Sequence, residues 1–380
     1  MMPKRILLIV LCVTLTIAAC ESAPFIATSP AKPTLEITPA TPTETPLPSA
    51  LQEIPVHVGR GARGSFFEIY FTDPANPASR QESGGIEGPL VASIDAAKLS
   101  VDVAIYSFSL MDVGNALLRA RDRGVTVRVV MESDNLDRSV PRTLMESGVT
   151  VIGDRREGLM HDKFIVIDRA EVWTGSMNLT VTGAYDDNNN LLHIRSVPLA
   201  ENYLAEFNEM FESDQFGTDS VPGSPNPSVM VDGVQIETYF SPDDGVAAQL
   251  MNLLQGAQES ILFLAYTFTS DDLAQIIKSK HEAGIRVAGV MDNELITSNE
   301  GSDFNLFTKA GLNVRRDGNP GLMHDKIIII DGSIVVTGSY NFTAAAENRN
   351  DENILVIHSK EIAEFYTSEF TRIFDLAQQP

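Results

Sequence analysis

Apolar and polar positions in this chain fall into blocks, and the order of the blocks occurs twice. An apolar run with strand character at residues 97–109 (AKLSVDVAIYSFS) has its counterpart at 257–269 (AQESILFLAYTFT). Each run carries Tyr-x-Phe near its end, at Tyr106 and Tyr266. A helical segment follows each, 113–124 and 273–284, and each stops at a glycine, a common helix terminator. Strand-like runs come next, at 125–132 and 285–292, followed by a second helix and strand. Upstream, FFEIYFTDP (66–74) and QIETYFSPD (235–243) match as first strands. The copies then reach HDKFIVID (161–168) and HDKIIIID (324–331), rich in β-branched residues.

Strands alternating with helices predict an α/β architecture, with a largely parallel sheet covered on both faces. The stretch 221–228 (VPGSPNPS) has turn and linker chemistry and divides the copies. It gives one domain over 61–221 and a second over 222–380, packed about a pseudo-two-fold axis. The interval between the repeats is too long for a solenoid.

The N-terminus has a different pattern. Lys4 and Arg5 precede an apolar run from Ile6 to Ala19, the layout of a secretory signal. The run is shorter than the roughly 20 residues that span a bilayer. It ends Ile17-Ala18-Ala19-Cys20, which resembles a bacterial lipoprotein lipobox. That resemblance implies cleavage before Cys20 and a lipid on Cys20; the alternative is an ordinary signal peptide. Residues 1–19 are then the signal, and 20–60 the anchor cysteine and a Pro/Thr-rich spacer that cannot form a core. The expected location is extracytoplasmic, tethered to a membrane.

With 380 residues and 43% hydrophobic content, the chain has ample material for a large core. Its net charge of -23 makes it a poor non-specific binder of polyanions and disfavours, without excluding, a nucleic-acid substrate. Both cysteines, Cys12 and Cys20, precede the folded part, which leaves no disulfide framework and no cysteine nucleophile there.

The chemistry lies in the string GLMHDK, present twice. One copy reads His161, Lys163, Asp168, Gly175, Ser176, Asn178; the other reads His324, Lys326, Asp331, Gly338, Ser339, Asn341, at identical spacings. Side chains alternate across a strand, so each His and Lys share a face, whereas Asp168 and Asp331 have the opposite parity and start a tight turn. Cleaving a phosphodiester requires a nucleophile, a proton donor for the leaving oxygen, and cations against the charge on phosphorus. Histidine can serve as either of the first two. Lys163 and Lys326 supply charge, and Ser176, Asn178, Ser339 and Asn341 can bind non-bridging oxygens. One copy holds half of this set, so two facing copies complete it. Asp168 and Asp331 are counted with the catalytic residues, with a turn or scaffold role as an equal alternative. Tyr106 and Tyr266 are assigned to the core, Trp173 to packing, and Gly175 and Gly338 to backbone geometry.

His-x-Lys, four residues, Asp, six residues, Gly-Ser-x-Asn resembles the signature of the phospholipase D superfamily, and both copies match it fully. The similarity runs from about Phe66 to the C-terminus. It is nearest the branch holding small bacterial endonucleases and the mitochondrial cardiolipin hydrolase, whose members carry one motif and dimerise. The resemblance implies two α/β/α sandwich domains with the active site at their interface, in a monomer holding both half-sites. It also implies a phosphohistidine intermediate, no metal or other cofactor, and hydrolysis or transfer of a phosphodiester. In that branch a Glu lies 28 residues after the His and orients it; here the second copy has Glu352 and the first has Asn189. Taken within each copy, Glu352 backs His324 as the protonated general acid, and His161 is the nucleophile. Asp186 or Asp187 could blur that difference. The leading reading is a lipid-anchored phosphodiesterase acting on a phospholipid head-group ester. The alternatives are an extracytoplasmic nuclease and an inactive, membrane-tethered binding module.

Overall fold

Two sheets carry the fold in this computed structural model, which describes residues 51–299 and 301–378. The leader, Cys20 and most of the spacer lie outside the described residues. The first sheet runs, in spatial order, Gln52–Ile54, Arg60–Arg63, Phe67–Phe71, Asn190–Arg195, Glu171–Gly175, Lys163–Ile167, Ser100–Ile105, Thr126–Met131 and Thr150–Gly153. The second runs Ser228–Val231, Val234–Ser241, Glu352–His358, Ile334–Gly338, Lys326–Ile330, Ser260–Ala265, Arg286–Met291 and Asn313–Arg316. It repeats the order of the first sheet without that sheet's outermost strand.

The α/β class matches the expectation; the strand directions do not. Only the pairings at one edge of each sheet are parallel. The other neighbours run antiparallel. The physical reason lies in the connections. Parallel neighbours need a crossover, and helices Met111–Asp122 and Asp271–Glu282 supply one in each copy. Each motif strand is instead joined to the next by a three-residue reversal. Asp168 and Arg169 sit at φ 53° and 58°, and Asp331 and Gly332 at 51° and 55°. Two successive left-handed residues are what a tight hairpin demands, so the motif strand must run antiparallel to its successor.

The motif strands read as unbroken apolar runs because both of their faces are covered. Phe164 and Val166 point to one core cluster and Ile165 and Ile167 to another. In the second copy Ile327 and Ile329 face the same shared cluster as Phe164, while Ile328 and Ile330 face away. That shared cluster lies between the sheets. It is filled by helix Val197–Ser213, through Leu199, Tyr203, Phe207 and Met210, and by helix Lys360–Leu376, through Ile362, Tyr366, Phe370 and Ile373. Both helices start at a serine cap, Ser196 on the Leu199 amide and Ser359 on the Ile362 amide. Each fully buried large apolar side chain contributes about 1.5–3 kcal/mol relative to exposure. The common layer therefore couples the two copies into a single cooperative core.

The glycine of each Gly-Ser pair allows the closest backbone approach. Gly175 has φ 150° and Gly338 has φ 154°. A Cβ at these positions would lie 2.4 Å from the Asn190 carbonyl oxygen and 2.2 Å from that of Asn353. We expect Gly338→Ala to destabilise the protein by roughly 2–4 kcal/mol, since neither backbone can yield. A urea midpoint unchanged from wild type would contradict this.

Candidate active site

Each motif enters its strand through a contact with the other copy. The His161 amide donates to the Asp351 carbonyl at 3.0 Å, and the Asp351 amide to the Leu159 carbonyl at 2.9 Å. The related pair has the His324 amide on the Asn188 carbonyl at 2.9 Å and the Asn188 amide on the Leu322 carbonyl at 2.8 Å. These reciprocal bridges bring both histidines to the interface, where they are 7% and 6% exposed. Glu132 and Asp292, just beyond the parallel strands of their copies, hold the preceding residues: their carboxylates accept from the Met160 and Met323 amides at 3.1 and 3.0 Å.

The side chains cross in the same way. His161 Nδ1 lies 2.7 Å from Glu352 Oε2, and His324 Nδ1 lies 2.9 Å from Asn189 Oδ1. This corrects the sequence expectation: Glu352 backs His161, not His324, and Asn189 backs His324. Strand Glu352–His358 is separated from Lys326–Ile330 by Ile334–Gly338 in its own sheet, and its first residue projects across the interface. Neither Asp186 nor Asp187 reaches His161. Asp187 instead accepts from the Leu322 amide at 2.9 Å, on the His324 side.

Lys163 Nζ donates to the His161 carbonyl and Lys326 Nζ to the His324 carbonyl, each at 2.7 Å. Each lysine also lies over a tyrosine ring, Tyr106 at 5.4 Å and Tyr266 at 4.9 Å from the centroid. The same rings flank the histidines, with centroids 5.0 Å apart for Tyr106 and His161 and 4.8 Å for Tyr266 and His324. Both tyrosines are half-buried. They are walls of the site, and assigning them to the core was wrong.

A family model described as cardiolipin synthase, PLD-like domain, matches this chain twice, over residues 90–211 and 250–374. The chain belongs to the phospholipase D superfamily. It is 36% identical to the mitochondrial cardiolipin hydrolase of Xenopus tropicalis over 131 residues, which is 34% of this chain and 62% of that protein. It is 34% identical to the phospholipase D of Rickettsia felis over 132 residues, 35% of this chain and 66% of that one. The chain thus spans less than two thirds of the length of these curated relatives. The crystal structure of phosphatidylserine synthase from Haemophilus influenzae has the same fold, with TM-score 0.61 and 13% identity over 77% of this chain and 85% of that one.

Not every signature residue of the superfamily comes to the histidines. Asp168 lies at the other end of its strand, and its carboxylate accepts from the amides of Lys98, Leu99 and Ser100. Asp331 accepts from those of Gln258, Glu259 and Ser260. Both are anchors for the hairpin turn, which is the scaffold alternative, and neither touches the reacting groups. Ser176 Oγ donates to Asn189 Oδ1 at 2.8 Å and accepts from the Asn190 amide at 3.0 Å. Ser339 Oγ accepts from the Asn353 amide at 3.0 Å. The two serines hold the residues that orient the histidines. Asn178 and Asn341 have amide oxygens buried without a partner. Trp173 is a packing residue, stacked on His193 with centroids 4.4 Å apart.

Asp162 and Asp325, the middle residues of the two triplets, are fully buried and were overlooked. The signal was present, because both belong to the repeated string. An open groove of about 970 Å³ along Leu99, Arg128 and Val197 contains no motif residue.

Burial governs the charge state of the superfamily site. Desolvation, then the two lysines, push both histidines well below their usual range. Burial brings Lys163 down to about 8, and burial with the field of Lys163 brings Lys326 down to about 7. An oxyanion between them favours the charged ammonium, so binding draws protons in. Affinity should be highest below about pH 7 and fall as pH rises through the lysine values. Sulfate, which does not titrate there, is a suitable probe. Calorimetry at pH 7.5 in buffers of different ionisation enthalpy should show proton uptake, and a buffer-independent heat would contradict it. Asp331→Ala should cost about 1–3 kcal/mol by orphaning three amides. It should leave the sulfate affinity of the folded protein intact, checked by calorimetry on the folded fraction.

Proposed function

We propose that this chain is a phosphodiesterase that hydrolyses a phospholipid head-group ester through a phosphohistidine. The observation that carries the reading is the crossed pairing of two histidines, one to a carboxylate and one to an amide, above two buried lysines. With Nδ1–H donated to Glu352, the Nε2 lone pair of His161 attacks phosphorus. The P–O bond to the leaving group breaks as His324, protonated once the phosphodiester anion is bound, gives its Nε2 proton to that oxygen. Water then attacks phosphorus, passes a proton to His324, and the P–N bond breaks.

The division of labour follows from charge. A nucleophilic imidazole becomes cationic on phosphorylation, which Glu352 stabilises. A general acid becomes neutral as it donates, which a carboxylate partner would oppose and the Asn189 amide does not. His161 is therefore the nucleophile and His324 the acid, on grounds opposite to those taken from the sequence alone. Lys163 and Lys326 offset the phosphoryl charge, with Asn178 and Asn341 as candidates for its oxygens.

Three features support a lipid substrate over a nucleic acid. The net charge is -23. Carboxylates crowd the site wall: after burial, Asp292, Glu294 and Asp187 contribute to raising Tyr266 to about 12. The lipobox-like Cys20 and its spacer fit an exported lipoprotein tethered beside a membrane.

The test has two parts. Full-length protein in detergent is assayed on phosphatidylcholine, cardiolipin, and single- and double-stranded DNA, with and without chelator. We expect lipid turnover unaffected by chelator; cleavage of DNA alone would replace this reading with the nuclease, and inactivity on every substrate with the binding module. An alkaline quench during turnover followed by peptide mapping should place the phosphoryl group on His161. Label on His324 would reverse the roles.

A further inference from the structure

We propose that Asp162 and Asp325 are positioning residues that lock each histidine's orienting partner across the interface. The proposal rests on the reading of the site as a phosphodiesterase and names residues outside the signature. Asp162 Oδ1 accepts from Asn353 Nδ2 at 2.6 Å, and Asp325 Oδ1 accepts from Asn190 Nδ2 at 2.7 Å. Both bonds run between the copies, and all four side chains are fully buried.

Hydroxyls and a carboxylate set the orientation of both amides. Asn353 Oδ1 already accepts from Thr174 Oγ1 at 3.0 Å and Tyr203 OH at 3.3 Å. Asn190 Oδ1 accepts from Thr337 Oγ1 at 3.0 Å. With the oxygen accepting from hydroxyls, the NH₂ faces the aspartate, whose carboxylate can only accept.

Sequence adjacency turns these bonds into a clamp. Asp162 follows His161, and Asn353 follows Glu352, so two consecutive residues of one copy grip two consecutive residues of the other. His161 meets Glu352 on the site side and Asp162 meets Asn353 behind it. His324–Asp325 and Asn189–Asn190 repeat the arrangement. The backbone bridges already set the register of the partner strand, but a single histidine bond would leave the orienting side chain free to swing. Two bonds one residue apart fix both position and direction, which a nucleophile held within a fraction of an ångström requires. Burial makes the second bond costly to lose, since it would strand a carboxylate and an amide away from water.

The experiment exchanges the partners. Asn353→Asp alone sets two carboxylates against each other, and kcat should fall about 100-fold with KM little changed. The double variant Asp162→Asn/Asn353→Asp restores one acceptor facing one amide and should recover most of that loss. Asp162→Asn, which retains an acceptor oxygen of the same size, should stay near wild type, and Asp162→Ala should resemble Asn353→Asp. Spectra of ¹⁵N-histidine-labelled protein should show the Nδ1–H tautomer of His161 in wild type, Asp162→Asn and the double variant. That tautomer should be lost in Asn353→Asp and Asp162→Ala. Losses of kcat that merely track the folded fraction, with the His161 tautomer unchanged throughout, would overturn the clamp. If wild type is inert on every phosphodiester, the functional reading fails, while the histidine spectra still decide the clamp.

Discussion

A hydrogen bond buried between two repeats of one chain, from His161 to Glu352, is the constraint on which the rest of this structure depends. An imidazole carries out directed chemistry only when one nitrogen is committed elsewhere. Here the commitment is made to the opposite repeat, so the site exists only when both repeats are folded and seated. The central helices Val197–Ser213 and Lys360–Leu376 give the seating its hydrophobic driving force. The glycines at 175 and 338 allow the strands bearing the orienting residues to come close. The bridges at Met160 and Met323 set the register.

The same burial that makes the bond rigid makes the empty site a poor place for charge. Two lysines and two histidines share a volume with little water, and each loses affinity for its proton. The anion supplies what the protein lacks. An oxyanion arriving between the lysines would be met by groups that gain protons in its presence, and relief of their mutual repulsion would add to its binding.

Much of this was legible in the sequence, and the failures are instructive. The α/β class, the two copies and the residues His161, Lys163, His324 and Lys326 all follow from apolar patterning and one repeated string. Strand direction was misjudged, because the alternation of strand and helix was allowed to set it, although the tight turns read at Asp168 and Asp331 can only join antiparallel neighbours. The positive φ values of those turns are a tertiary fact that Asp-Gly in one copy only hints at. The pairing of Glu352 was misjudged for a related reason. Spacing along the chain says which residue orients a histidine but not which histidine, since the strand that carries it projects outward from its own sheet. Tyr106 and Tyr266 were dismissed as core because an aromatic at a strand end has the same pattern whether it faces packing or a cleft. Asp162 and Asp325 were not weighed at all, although they sit inside the repeated string, and pointing away from the site is what lets them grip the partner strand.

The difference between Glu352 and Asn189 has an evolutionary consequence. In a homodimer built from single-motif subunits, any substitution occurs on both sides of the two-fold axis at once. Both histidines must then share one orienting residue, which has to be a compromise between accepting a phosphoryl group and giving up a proton. Joining the two copies in one polypeptide lifts that restriction, because each half can accumulate changes the other does not inherit. Asn189 in one half beside Glu352 in the other is a difference of this kind, open to a tandem chain and closed to a symmetric pair.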